Sequence, residues 1–246
     1  MKALNVYLSC VLAAGAVTWS AVAPVGAEQS APRIQQQVER SLRGGDFGRI
    51  EVSVADSEVT LTGTVPHLLA KNEAIERALD IEGVETVASE LQFSFEEDDP
   101  DLADEVGKAI NRYPHFTIWD YIDGRINNGV VTLRGSVTPS RNKKRELYER
   151  IAKIRGVQDY VDEIDVQSVA RSDERLRGMI GRSLANSPHF ERTVRMRNPP
   201  YHIVVNRSSV TIYGYVQSEI EYREMERIIR QTLGILNVDN QLQALR

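Results

Sequence analysis

Histidine readily binds a metal or passes a proton near neutral pH, and two of the four histidines in this chain share one setting. Asn-Arg-Tyr-Pro-His-Phe at 111–116 returns as Asn-Ser-Pro-His-Phe at 186–190, with His115 and His189 74 residues apart. Gathered with His67 and His202, they would supply a metal centre or a general base. Left apart, they would be one structural position copied. The spacing favours the copy. No His-x-x-x-His or Ser-His-Asp grouping occurs, whereas catalysis needs a nucleophile, a base or metal ligands that converge. A related stretch, Gly-Gly-Asp-Phe-Gly-Arg-Ile at 44–50, keeps the Phe and lacks the His. His115 and His189 therefore read as partly exposed loop residues, the Phe as packing under a sheet, and Pro114 and Pro188 as helix stops. No catalytic residue, metal site or cofactor is expected.

The larger pattern is a threefold repeat. Val-Thr-Leu/Ile-x-Gly-x-Val occurs at 59–65, 131–137 and 210–216, and Gly-Val-Glu-Thr-Val-Ala-Ser-Glu-Leu at 83–91 aligns without a gap with 156–164 and 234–242. Gly63, Gly135 and Gly214 are each a lone glycine at a strand end with no Lys-Ser/Thr following, so they are no phosphate loop. They read as positions of a bend or a close helix approach. Gly83, Gly156 and Gly234 read as left-handed caps after a helix.

Each unit opens with an amphipathic helix over 34–42, 102–111 or 176–186. A strand then alternates at Ile50, Val52 and Val54, at Ile122, Gly124 and Ile126, or at Tyr201, Ile203 and Val205. Asn128-Gly129 marks a tight hairpin turn. The Val-Thr-Leu strand, a second helix and a closing strand complete the order αββαβ. The fold class is α+β, as three tandem small two-layer sandwiches.

The Val-Thr-Leu-x-Gly-x-Val run, the helix after it and the Gly-Val closing strand resemble the BON domain, with copies at about 31–95, 101–168 and 171–246. Unit three departs from the pattern with Ile235 for Val and an insertion, Glu-Arg-Thr-Val-Arg-Met-Arg-Asn-Pro-Pro, at 191–200. The resemblance implies small αββαβ sandwiches in the periplasm or elsewhere in the envelope, without catalysis, attached to phospholipid or to an envelope assembly. It also implies a link to envelope integrity and osmotic stress.

Residues 1–27 agree with export. One Lys precedes an apolar run from Val6 to about Ala23, Pro24 breaks it, and Val25-Gly26-Ala27 supply small residues for cleavage of a signal peptide. The run approaches the length of a membrane span, so a retained anchor is the alternative, although Thr18, Ser20 and Pro24 interrupt it. Cys10, the single cysteine, would leave with the signal, so no disulfide is expected.

Net charge is −5 overall, which disfavours nucleic acid as a partner. The Gly-x-x-Gly clamp that an RNA-binding αββα module would need is absent as well. The average hides a gradient. Residues 31–95 carry 6 Lys/Arg against 11 Asp/Glu, a net −5; 101–168 carry 11 of each; 171–246 carry 12 against 8, a net +4, and all twelve cations are Arg. Arg141, Lys143, Lys144 and Arg145 open a helix whose dipole disfavours cations there. Arg192, Arg195 and Arg197 crowd the insertion. Both clusters are candidate contacts for anionic phospholipid at a peripheral membrane surface, with an oligomerising scaffold or an envelope protein assembly as the alternative. Trp119 and Tyr121 read as the two faces of a strand packed in a core. The acidic run at 96–101 reads as a solvated linker or charged hinge, and it lacks the ligand spacing and glycine of a calcium loop.

Overall fold

The structure is a computed structural model that describes residues 27–95, 97–196 and 198–245. The expected signal peptide thus lies outside the described residues except for Ala27. Among the described residues, seventeen elements include two single-turn 3-10 helices, and the rest follow αββαβ three times. Module one holds α1 (Ala27–Ser41), β1 (Ile50–Ala55), β2 (Glu58–Val65), α2 (Leu68–Leu79) and β3 (Thr86–Phe93). Module two holds α3 (Asp99–Asn111), β4 (Tyr121–Asn127), β5 (Val130–Val137), α4 (Lys143–Ile151) and β6 (Asp159–Val166). Module three holds α5 (Arg171–Ala185), β7 (Tyr201–Asn206), β8 (Ser209–Val216), α6 (Glu219–Arg230) and β9 (Asn237–Ala244). No described helix is long and apolar enough to cross a membrane.

Each sheet has three strands. The middle one pairs antiparallel with the strand before it and parallel with the strand after it, reached through the second helix. The helices cover one face, onto which Val59, Leu61 and Val65 point in module one, with Val131, Leu133 and Val137 or Val210, Ile212 and Val216 in the others. This is the alternation expected of a sheet packed on one side. Ile34 and Val38, Leu102 and Val106, and Leu176, Ile180 and Leu184 face them from the first helices.

The first helices begin before the apolar stripes do. The acidic run is therefore more than a linker: Asp99 lies in the first turn of α3, and its carboxylate accepts the N–H groups of Asn128 (2.8 Å) and Gly129 (2.9 Å) in the hairpin turn. Asp173 does the same for Arg207 (2.7 Å) and Ser208 (2.9 Å) in module three. Ala31 holds the matching place in module one.

Gly63, Gly135 and Gly214 have φ of 111°, 137° and 101°. A Cβ there would stand 2.1, 2.1 and 2.3 Å from the carbonyl oxygens of Arg49, Tyr121 and Pro200. The close neighbour is thus the backbone at the start of the partner strand and not a helix. Gly83, Gly156 and Gly234 also have positive φ, but a short turn separates each from its helix.

Candidate interaction surfaces

The histidines stay apart. His67 caps α2, its Nδ1 accepting the Ala70 N–H at 3.1 Å, and Asp46 lies 3.4 Å from its Nε2. His115 sits edge-on to Tyr113, and His189 is exposed beside Phe190. His202 lies in β7. Among the described residues, no group of three or more His, Cys, Asp or Glu is placed to hold a metal. Phe47 and Phe190 are buried and Phe116 is partly buried against the core of its module.

The four cations at the start of α4 do not form an outward-facing patch. Lys143 is 1% exposed, and its Nζ lies 2.8 and 2.7 Å from the two oxygens of Asp120, which is itself fully buried. The same Asp120 carboxylate accepts the N–H groups of Thr117 and Thr138 and both threonine hydroxyls, while Thr138 Oγ1 accepts from Lys143 at 2.7 Å. Lys143 is thereby removed from any surface contact: it belongs to a satisfied internal network, the arrangement that buried charges require. Lys144 reaches the Ile164 carbonyl (2.6 Å) and Asp162 (3.1 Å), Arg145 pairs with Glu149 (2.8 Å), and Arg141 with Glu146 (3.0 Å). The Tyr113 hydroxyl and then Arg141 hold Glu146 below the usual carboxylate range, and burial and the bond to Glu146 push the Tyr113 hydroxyl up.

Module three differs. Arg192 and Arg195 are exposed, with no ion-pair partner among the described residues, and Arg197 lies outside the described residues. Sequence reasoning missed a second set. Arg171, Arg175 and Arg182 on α5 are exposed and likewise unpaired, and their spacing of four and seven residues puts them on one side of the helix. Gly178 lies between them, and the Arg182 guanidinium is 3.4 Å from where its Cβ would be. The equivalent places in module two are Glu97, Asp101 and Lys108. By contrast, Arg177 is buried and bonds Gln167 and the Val205 carbonyl.

Two joints link the modules. Leu68 and Leu69 enter the core of module two, and the Leu69 N–H donates to the Ala152 carbonyl at 2.8 Å. Ile118 is buried in the core of module three and its carbonyl accepts the Ile203 N–H at 2.7 Å, so the segment before β4 shields the outer edge of β7. Trp119 precedes β4 and packs on Gly181 of α5, and Tyr121 stacks on Tyr213 at 3.8 Å and 3°. Both rings serve this joint rather than the two faces of a single strand.

The BON domain family model matches residues 30–94, 98–168 and 172–246. No curated protein matches the chain. Two solved structures of CdsD, a structural protein of the type III secretion system of Chlamydia trachomatis, overlap it loosely. The C-terminal domain shares 13% identity at a TM-score of 0.24, covering 86% of this chain and 96% of that one. The second shares 14% at 0.23, covering 87% and 92%. The triplicate motif, the three αββαβ sandwiches and the threefold match together place the chain in the BON domain family.

Proposed function

We propose that this chain is a non-catalytic periplasmic protein that holds to anionic phospholipid through the arginines of module three and so supports envelope integrity under osmotic stress. BON domain membership supports the envelope setting and the lack of catalysis. The observation that carries the lipid reading is the contrast in pairing: every cation at the start of α4 has an acidic partner, whereas Arg171, Arg175, Arg182, Arg192 and Arg195 have none among the described residues.

A guanidinium that is not already paired can meet a phosphate through two parallel N–H donors. Each such residue near an anionic surface contributes about 1 kcal/mol. Met196, half exposed beside Arg195, adds an apolar group at the same place. Flotation with vesicles of anionic phospholipid tests the reading: the chain should rise with the vesicles at low salt and stay behind at high salt. Equal recovery with purely zwitterionic vesicles would refute it.

A further inference from the structure

The joint between modules one and two is made end-on by two helices. Leu69, the second residue of α2, is 8% exposed, and its N–H meets the carbonyl of Ala152, the cap residue of α4. A helix start has N–H groups without intrahelical acceptors and a helix end has carbonyls without donors. Here each satisfies the other, with the two dipoles head to tail. The Asn72 amide adds a bond of 2.6 Å to the Tyr148 hydroxyl.

Module three repeats the donor half of this joint. Its numbering runs 151 ahead of module one from Gly63 to Gly83 without a gap, so Ile220 stands where Leu69 does, and the helix caps His67 and Ser218 coincide. Ile220 is 66% exposed, and its N–H makes no backbone hydrogen bond among the described residues. Module one repeats the acceptor half. A shift of 73 between Gly83 and Gly156 puts Leu79 in the place of Ala152. Leu79 is 46% exposed for a large apolar side chain, and its carbonyl accepts no backbone hydrogen bond among the described residues. Module two offers no spare donor half, because Lys143 is spent on Asp120 and Lys144 on Asp162.

We infer that Ile220 of one copy of this chain docks on the Leu79 end of α2 in a second copy, in the manner of Leu69 on Ala152. The occupant is a second copy because the two unused halves lie on one chain, on modules of net +4 and −5 that attract at long range. Of the two carboxylates at this helix start, Glu219 is held by Arg223 at 3.1 Å and Glu221 accepts the Gln217 N–H at 2.7 Å, so each has a partner within module three when it meets the acidic surroundings of Leu79. The contact joins unlike surfaces and therefore builds open chains or a ring. It uses neither arginine set and stands independently of the lipid reading.

Sedimentation velocity on the chain at rising concentration and low salt reads this directly. An interface this small implies a dissociation constant on the order of 10–100 μM. Ile220→Glu and Leu79→Glu, both at exposed positions, should each weaken association by about tenfold or more, because each places a charge at the contact. An equimolar mixture of the two variants still contains one intact donor half and one intact acceptor half. It should give dimers and nothing larger. A wild-type chain that stays monomeric over this range, variants that associate as the wild type does, or a mixture that stays monomeric overturns the inference. Circular dichroism of both variants should match the wild type.

Discussion

The Lys143 ammonium sits 2.7 Å from a carboxylate oxygen of Asp120, and both side chains are buried. The pair ties the start of α4 to the loop before β4, with Thr138 bridging them. Removing one partner leaves the other charged and without compensation, a loss of about 3–5 kcal/mol. Lys143→Ala should lower the urea midpoint of module two accordingly, and Asp120→Leu with Lys143→Met should recover most of it. A change of under about 1 kcal/mol for the single variant would show that water replaces the lost partner.

His202 carries the second prediction. It lies in β7 against the loop of module two, its Nδ1 is buried without a hydrogen-bond partner, and the ring of Tyr121 is 6.3 Å away. Burial lowers its pKa, opposed in part by the Thr117 and Asp120 backbones and the Asp120 charge. That charge is already answered by Lys143, and Tyr121 and Tyr213 are the other titratable groups near it on β4 and β8, both pushed upward by burial. The docked form therefore favours neutral His202. Its contribution is complete above the unfolded value of about 6.5 and is lost as the pH falls below this through the lowered folded value. Trp119 fluorescence should report loosening of the joint on acidification, and His202→Gln should flatten that response. A wild-type profile unchanged in the variant would clear His202 of the role.

The threefold order, the strand faces and the recurring glycines were legible because each is a local property: alternation marks a sheet face and apolar spacing marks a helix stripe. The Lys143 network was legible in principle, since Lys143 precedes Leu147 and Ile151 by four and eight residues and so lies on the stripe that enters the core. Reading it as surface charge followed the usual habit of lysine against the periodicity of α4. The joints were not legible. Ile118, Trp119 and Leu69 are apolar residues that fit their own modules equally well, and only the packing of one module on the next shows which core receives them. The pairing of Arg141 and Arg145, against the lack of ion-pair partners at Arg171 and Arg175 among the described residues, depends on the same tertiary detail.

The turn supports give a third test. Asp173 is fully buried and holds two N–H groups of the β7–β8 turn, where Arg207 and Ser208 have positive φ. Asp173→Ala should cost about 1–3 kcal/mol through the donors left unpaired. Module one has Ala31 at the matching place of its first helix, and in its β1–β2 turn Asp56 has φ of 54°. Ala31→Asp should therefore stabilise module one by about 0.5–1.5 kcal/mol, one new hydrogen bond's worth. Thermal unfolding of the two variants should move in opposite directions, and a destabilised Ala31→Asp would show that the turn of module one is held differently.

The last prediction separates the two arginine-rich regions. Attachment that depends on unpaired guanidinium groups should be lost when their sign is reversed, and reversal of cations already paired should matter far less. Arg171→Glu, Arg175→Glu and Arg182→Glu together change the stripe on α5 from three positive charges to three negative ones without touching the buried Arg177. With about 1 kcal/mol per basic residue at an anionic surface, the affinity for anionic vesicles should fall by at least about a hundredfold, and Arg192→Glu with Arg195→Glu should lower it by about tenfold or more. Reversal at Arg141 and Arg145 instead breaks pairs with Glu146 and Glu149 on the surface, where such pairs contribute little, and should leave vesicle binding within about threefold of the wild type. The opposite ranking would return the lipid contact to the start of α4, and equal binding by all variants would remove arginine pairing as its cause.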